Sequence, residues 1–174
     1  MYYRIQIIFN TVRHLKLIQI YFQVWYRIKN KLKIRIKFSK YYKKEVALNW
    51  RDGVYNVSSH KGGNTFKFIN IEQTFEQVID WNYTIHKKLW TYNLSYFDFL
   101  NQENISKEEG LLLIYDFVKN YAILKDAKES YPTSLRIINW IKFIAKHKIE
   151  ETSILQIIRQ DSNRLSYNLE YLNL

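Results

Sequence analysis

The sequence predicts a mainly α-helical protein of antiparallel helical hairpins, with a small irregular or β-hairpin region around residues 45–82. Apolar residues recur at three- and four-residue steps through most of the chain after Lys87, which is the period of helices with one buried face. Three of the four glycines, Gly53, Gly62 and Gly63, fall within residues 49–82. The single proline, Pro132, follows a break in the helical pattern. Helices therefore dominate, and the turn-forming residues gather in one region.

The first segment predicts an amphipathic helix from about Thr11 to Asn30, with Thr11 as its N-cap. Its apolar residues at helical spacing are Val12, Leu15, Ile18, Phe22, Trp25 and Ile28. The next stretch, "KLKIRIKF" over Lys31–Phe38, alternates basic and apolar residues and fits a short strand or a continuing helix. We therefore divide the chain into a basic helical segment, 1–44, and a helical domain, 45–174, of a single-domain protein.

The net charge of +11 belongs to the first segment. Residues 1–50 hold twelve Lys and Arg against one acid, Glu45, whereas the remainder holds fifteen basic and fifteen acidic residues. Such a segment favours an anionic partner, and nucleic acid, a membrane surface and an acidic polysaccharide all meet that description. The chain has no cysteine and only four scattered histidines, so we expect no disulfide, metal or cofactor. Basic residues interrupt the opening apolar run, which predicts neither a signal peptide nor a membrane span and leaves the compartment unassigned.

The glycine-containing region reads as short β-like runs around a turn. "GVYNVSSHKGGNTFKFIN" places Gly62 and Gly63 in the sequence "KGGN", a common turn composition. These glycines lack the spacing and the following Lys-Ser/Thr of a phosphate-binding loop. We predict a hairpin or an irregular loop here, ending near "IDWN" at Asn82.

Four helices are predicted in the remainder. The first covers about Leu89–Asn101. Ser106 and Glu109 form a capping box that opens the second, which runs to about Tyr121. The third has Pro132 in its first turn and ends near His147. The fourth begins near Thr152, and its apolar face is still running at residue 172.

Two stretches carry residue types suited to sugars. In "YPTSLRIINWIKF" the residues Arg136, Asn139, Trp140 and Phe143 share one helical stripe, and in "LWTYNLSYFDFLN" Tyr92, Tyr96 and Phe99 share a face with Asn93 beside it. Aromatic rings stack on pyranoses, whereas amides and Arg bond hydroxyls and carboxylates. The alternative is a helical core in which Arg136 pairs with Asp98, and residue types alone favour that alternative.

Four motifs, in order, resemble a known family. "IDWN", "KLWTYNLSYFDFLN", "YPTSLRIINWIKF" and "NLEY" look like the N-terminal region of heparinase II/III-like polysaccharide lyases, in the form found in bacterial surface-polysaccharide gene clusters. The resemblance covers about Thr11–Tyr171. It implies a partial α/α toroid of helical hairpins, which a β-sandwich follows in the full family. It also implies an acidic, uronate-containing polysaccharide, cleaved in the family by β-elimination.

The resemblance implies binding residues but no catalytic ones. In the family the segment like "NLEY" continues into a Gly-Asn-His-like motif, whereas here Tyr171 is followed by Leu172, Asn173 and Leu174. We therefore expect a truncated lyase that binds polysaccharide at most, with the rest of the toroid and the β-sandwich as its missing partner. The implied cleft wall is Tyr92, Asn93, Tyr96, Arg136, Asn139 and Trp140.

A second hypothesis comes from the charge alone. Residues 1–50 would form a basic amphipathic module that binds a membrane surface or nucleic acid. The lyase-like hypothesis expects no nucleic acid, because the chain has no RNP-type motif or glycine-rich loop.

Overall fold

The protein is mainly helical with a small two-stranded antiparallel sheet, as the sequence predicts. The computed structural model describes residues 13–31 and 55–167, together with Gln6 and Asn10. The elements in order are α1 Leu17–Lys31, β1 Thr65–Phe68, β2 Ile71–Thr74, α2 Lys87–Tyr96, α3 Lys107–Asn120, α4 Ser130–His147 and α5 Thr152–Tyr167. Short 3₁₀ turns, Asp98–Asn101, Tyr121–Ile123 and Asp126–Lys128, connect the helices.

The chain divides into two compact units, Met1–Tyr41 and Tyr42–Leu174. Helix α1 belongs to the first and begins at Leu17, later than the predicted Thr11. The side-chain Oε1 of Gln19 accepts the backbone N–H of Lys16 at 2.9 Å, which satisfies one donor at this helix start. Lys31–Phe38 was predicted as a short strand or a continuing helix; Lys31 is the last residue of α1, and residues 32–38 lie outside the described residues. No helix in the described ranges has the length and apolarity to cross a membrane.

The hairpin is present, but its turn is not the predicted one. Strands β1 and β2 pair with Thr65 opposite Thr74 and Phe68 opposite Ile71, so the loop is Ile69-Asn70. These two residues have φ of 54° and 61°, and two left-handed residues give the twist that tight hairpins need. The "KGGN" turn instead precedes β1, where the N–H of Thr65 bonds the carbonyl of Gly62 at 3.1 Å.

Helix α2 ends one turn earlier than predicted. Phe97 adopts a left-handed conformation with φ of 59°, and Asp98–Asn101 continues as a 3₁₀ turn. The Phe97 ring is fully buried, stacked on Trp81 at 5.1 Å and edge-on to Trp140 at 5.3 Å. Tertiary packing has overridden local helix periodicity here. The face predicted to join Phe99 to Tyr92 and Tyr96 is therefore broken after Tyr96.

The later helix starts agree with the sequence signals. The hydroxyl of Ser106 accepts the N–H of Glu109 at 3.0 Å, which caps α3. Pro132 lies in the first turn of α4, which ends at His147 with Lys148 left-handed. Helix α5 starts at Thr152, as predicted, and is described to Tyr167. The last part of the apolar face predicted to run to residue 172 lies outside the described residues.

Aromatic rings form the centre of the second unit. Trp81, Trp90, Phe97, Phe117 and Trp140 are all fully or almost fully buried. The indole N–H of Trp81 donates to Asp116 Oδ2 at 2.7 Å, and that of Trp90 donates to the carbonyl of Ile71 at 3.1 Å. The core therefore connects the hairpin to the helices and holds α2 against α4.

Candidate functional site

Arg136 lies in the interior. Its side chain is 0% exposed, and its Nη2 lies 2.6 Å from Asp161 Oδ2 on α5. Nη1 donates to the carbonyl of Ala127 at 2.8 Å, and the guanidinium stacks over Phe117 at 4.8 Å. Burial lowers the pKa of Arg136, and the adjacent Asp161 opposes that shift. The expected satisfied pair exists, but its carboxylate is Asp161 and not Asp98.

Asn139 and Trp140 are interior as well. The amide of Asn139 donates to the carbonyl of Tyr96 at 2.9 Å and to Asp98 Oδ1, and it accepts from Asn101 at 3.0 Å. The Trp140 ring packs edge-on to Phe97 and Phe117. The α4 stripe therefore offers no open surface to a sugar. Its position corrects the expectation that Arg136, Asn139 and Trp140 form a cleft wall, because a side chain without exposed surface cannot contact a ligand.

Tyr92 is partly exposed on α2, whereas Tyr96, one turn later, is buried. Tyr92 donates its hydroxyl to Glu129, which also pairs with Lys88 at 2.6 Å. Those two hydrogen bonds, the one from Lys88 foremost, lower the pKa of Glu129. Tyr96 is largely buried and packs edge-on to the exposed Tyr131 at 5.6 Å, and burial raises its pKa to about 12. The polar groups of Tyr92, Glu129 and Lys88 are thus paired with one another.

Of the six predicted residues, Asn93 borders an open groove. This groove has a volume of about 580 Å³ and lies between the hairpin, the chain segment before it and the end of α2. Eight of its eleven lining residues are polar: Asn56, Ser58, Ser59, Lys61, Lys67, Asn70, Asn93 and Asp98. The other three, Val57, Phe68 and Ile69, are apolar. We call this the hairpin groove.

Gln102 positions one wall of the hairpin groove. Its Oε1 accepts the N–H groups of Ser59 and His60 at 3.1 and 3.0 Å, and its Nε2 donates to the carbonyl of His60 at 3.0 Å. On the other side of this segment, the N–H of Lys67 donates to the carbonyl of Ser59 at 2.7 Å. The Gln102 amide and this backbone bond hold the wall. Its side chains also bond to the protein: Asn56 Nδ2 donates to the carbonyl of Asp98 at 3.1 Å, Ser58 Oγ to that of His60 at 3.4 Å, and Lys61 Nζ to that of Ser58 at 3.0 Å.

The charge of the groove favours an anion. Lys61 and Lys67 line the groove together with one carboxylate, Asp98, whose Oδ1 already accepts from the amide of Asn139. Amides and hydroxyls supply further donors and acceptors around them. Lysine binds carboxylates and sulfates as a compact charge, and amides bond sugar hydroxyls. An anionic sugar matches this combination.

A smaller pocket of about 260 Å³ adjoins the same segment and shares Ser58 and Lys61 with the hairpin groove. His60 is buried at its edge with Nε2 2.8 Å from the carbonyl of Gly63, an acceptor that favours the proton on that nitrogen. Its Nδ1 has no hydrogen-bond partner among the described residues, and Glu109 Oε1 lies 3.7 Å away. In the described part of the chain, no group of three or more His, Cys, Asp or Glu is arranged to hold a metal ion.

Sequence reasoning missed most of the hairpin groove. Lys67 alternates with Phe66 and Phe68 in "TFKF", and that period-two pattern predicts an outward-facing lysine. Lys61, Ser58 and Asn56 come from an irregular segment, and no local spacing brings them to Asn93. The pairing of Asn56 with Gln102 and Asp98, more than forty residues away, creates the site.

Comparisons with known proteins give no relative. No family model matches the chain, and no match was found among the curated proteins or the solved structures searched.

Proposed function

We propose that the second unit binds acidic, uronate-containing polysaccharide in the hairpin groove, as the helical N-terminal region of a heparinase II/III-like lyase. The observation that supports the proposal is that Lys61 and Lys67 line one open groove together with amide and hydroxyl side chains. A uronate carboxylate would take the place between the two ammonium groups. Asn93 and Asn70 would bond the ring hydroxyls.

The sequence resemblance supplies the substrate class and the toroid. Within the second unit, α4 and α5 are joined by only four residues, 148–151, and such short connections favour antiparallel neighbours. We propose that α2 to α5 are hairpins of a partial α/α toroid on this basis. The resemblance assigns no catalytic residue in this chain, so binding is the function proposed and cleavage is not.

The two cations can be tested together. We expect the double variant Lys61→Gln with Lys67→Gln to bind alginate and heparan sulfate about tenfold more weakly, because two charge-assisted contacts are removed. Binding is measured by isothermal titration calorimetry on the full chain. Dextran, a neutral glucan, should not bind measurably to either protein.

A matched control separates the groove from general basicity. Lys119 and Lys125 are exposed lysines outside the groove lining, so Lys119→Gln with Lys125→Gln removes the same charge. We expect this variant to retain affinity within about twofold. Equal losses in the two double variants would show that polysaccharide binds through net charge, and the groove assignment would then be abandoned.

A further inference from the structure

We propose that helix α1 docks on anionic membrane surfaces through an exposed apolar stripe. The stripe consists of Leu17, Ile18, Tyr21, Val24, Trp25 and Ile28. These residues fall at i, i+1, i+4, i+7, i+8 and i+11, which places them on one side of the helix. All six are exposed, from 37% at Trp25 to 85% at Leu17.

Exposure of this kind is costly in water. A continuous apolar helix face exposed to solvent indicates a surface that binds another protein or a membrane. The opposite face is polar, with Gln19 and Arg27 exposed there. A helix with an aromatic and aliphatic face and a polar, basic face is typical of those that lie in the interface of a bilayer.

The charge of this segment indicates which partner would cover the apolar stripe. Residues 13–31 contain five Lys and Arg and no Asp or Glu. A second copy of α1 would bring like charges together and has no acidic residues to offer in return, unlike the paired charges of coiled coils. An anionic lipid surface attracts the same cations while it accepts the apolar stripe.

The residue types in the stripe also fit the bilayer interface. Trp25 and Tyr21 are amphipathic rings, which collect at the level of the lipid headgroups. Leu17, Val24 and Ile28 would enter the outer acyl region. This proposal concerns the first unit and is independent of the hairpin groove.

Vesicle sedimentation tests the proposal on the full chain. We expect the protein to sediment with vesicles of phosphatidylcholine and phosphatidylglycerol, to bind vesicles of phosphatidylcholine alone at least about tenfold more weakly, and to lose binding as salt rises. The fluorescence of Trp25 should shift to the blue on binding. Trp25→Phe should remove that part of the shift while the protein still sediments with the vesicles.

Two substitutions with the same charge change give the decisive comparison. Val24→Glu puts a carboxylate in the stripe, and Gln19→Glu puts one about 200° around the helix from Leu17. We expect Val24→Glu to weaken vesicle binding about tenfold or more and Gln19→Glu to weaken it about twofold. Glu is a good helix former, so unchanged circular dichroism would confirm that both variants keep their helices.

Three outcomes would overturn the proposal. Equal losses in both variants would indicate net charge alone. Absence of vesicle binding with tight, salt-sensitive binding to a duplex DNA oligonucleotide would assign the segment to nucleic acid. A dimer in sedimentation that Val24→Glu dissociates, without vesicle binding, would assign the stripe to self-association.

Discussion

The α4 stripe and the hairpin groove contain the same kinds of side chain, but those of the stripe are buried and those of the groove are open to solvent. In the stripe, Arg136 and Asn139 have their donors used by Asp161, Ala127 and the end of α2. In the groove, Lys61 and Lys67 stand at an open surface beside amides, and Lys61 uses one of its three ammonium donors on the carbonyl of Ser58. A cation, an amide and an aromatic ring therefore identify a ligand site only when the protein itself has not already satisfied them.

The two regions are connected through one side chain. Asn139 bonds Asp98, and Asp98 borders the groove. The buried stripe thus positions part of the open site without facing it. Substitutions in the stripe should change stability first, and substitutions in the groove should change binding first.

The largest expected effect is at Arg136. Arg136→Met keeps much of the side-chain volume but leaves Asp161 buried with fewer partners, so we expect the free energy of unfolding to fall by about 3 kcal/mol. Urea denaturation measures the change. Lys119→Met, which also replaces a basic residue, at an exposed position on α3, is the control and should change the free energy by less than about 0.5 kcal/mol. If Arg136→Met instead lost polysaccharide binding with unchanged stability, Arg136 would belong to an open site. The contrast between the buried α4 stripe and the open hairpin groove would then be wrong.

Tyr121 belongs to the same network as Arg136, because both side chains bond Asp161. Its hydroxyl donates to Asp161 Oδ1 at 2.5 Å and also contacts Arg164. Tyr121→Phe removes a hydrogen bond to a carboxylate while it keeps the ring, so we expect a loss of about 2 kcal/mol in the free energy of unfolding. Tyr115→Phe, at a more exposed tyrosine on α3, serves as the control and should have a smaller effect.

The same residue predicts an alkaline dependence of stability. Burial, with Asp161 as a further cause, raises the pKa of Tyr121 to about 12 from its ordinary 10.0. Between these values the folded protein keeps a proton that the unfolded chain has lost, so stability falls as pH rises through this range. Tyr96, also raised to about 12, acts in the same direction. Tyr121→Phe should make the decline shallower, and an unchanged slope would contradict the assignment.

Helix positions were predictable because their signals are local. Ser106 with Glu109, Pro132 and Thr152 each act within one turn, and α3, α4 and α5 begin there. The end of α2 was not predictable, since Phe97 turns left-handed to enter an aromatic cluster assembled from three distant parts of the chain. The toroid remains a prediction.

The candidate site divides in the same way. Sequence periodicity grouped Arg136, Asn139 and Trp140 on one face, and they do share a face, but periodicity cannot tell a face toward core from one toward ligand. The buried ion pair between Arg136 and Asp161 shows that this face is toward the core, and Asp161 comes from α5. Lys61 escaped notice because a long-range bridge, not a spacing, places it near Asn93.

Gly110 gives a smaller effect within the interior. A Cβ at this position on α3 would contact the ring of Phe143, whose Cε2 would be 2.7 Å away, and Leu100 Cδ2 at 3.1 Å. Phe143 is fully buried and has little room to shift. We expect Gly110→Ala to lower the free energy of unfolding by about 1–2 kcal/mol, although alanine favours helices. In a double-mutant cycle, Gly110→Ala should cost much less in a Phe143→Leu background, because the smaller side chain leaves room for the methyl group. If the two losses of free energy are additive, the predicted contact is contradicted.

The smallest expected effect is a gain at the edge of the hairpin groove. Ile69 has a φ of 54° and is 53% exposed, so a β-branched residue occupies a backbone conformation that it disfavours. Asparagine tolerates that conformation, and Ile69→Asn should raise the free energy of unfolding by about 1 kcal/mol.

The same chemical change two residues later gives the control for Ile69. Ile71 lies in β2, where its side chain favours the strand, so Ile71→Asn should destabilise the protein. If Ile69→Asn stabilises the hairpin but weakens alginate binding, the strained isoleucine is present because its apolar surface contacts the sugar. If both variants lower the free energy of unfolding equally, the Ile69 backbone is not strained. The hairpin groove would then differ from the α4 stripe only in its exposure to solvent.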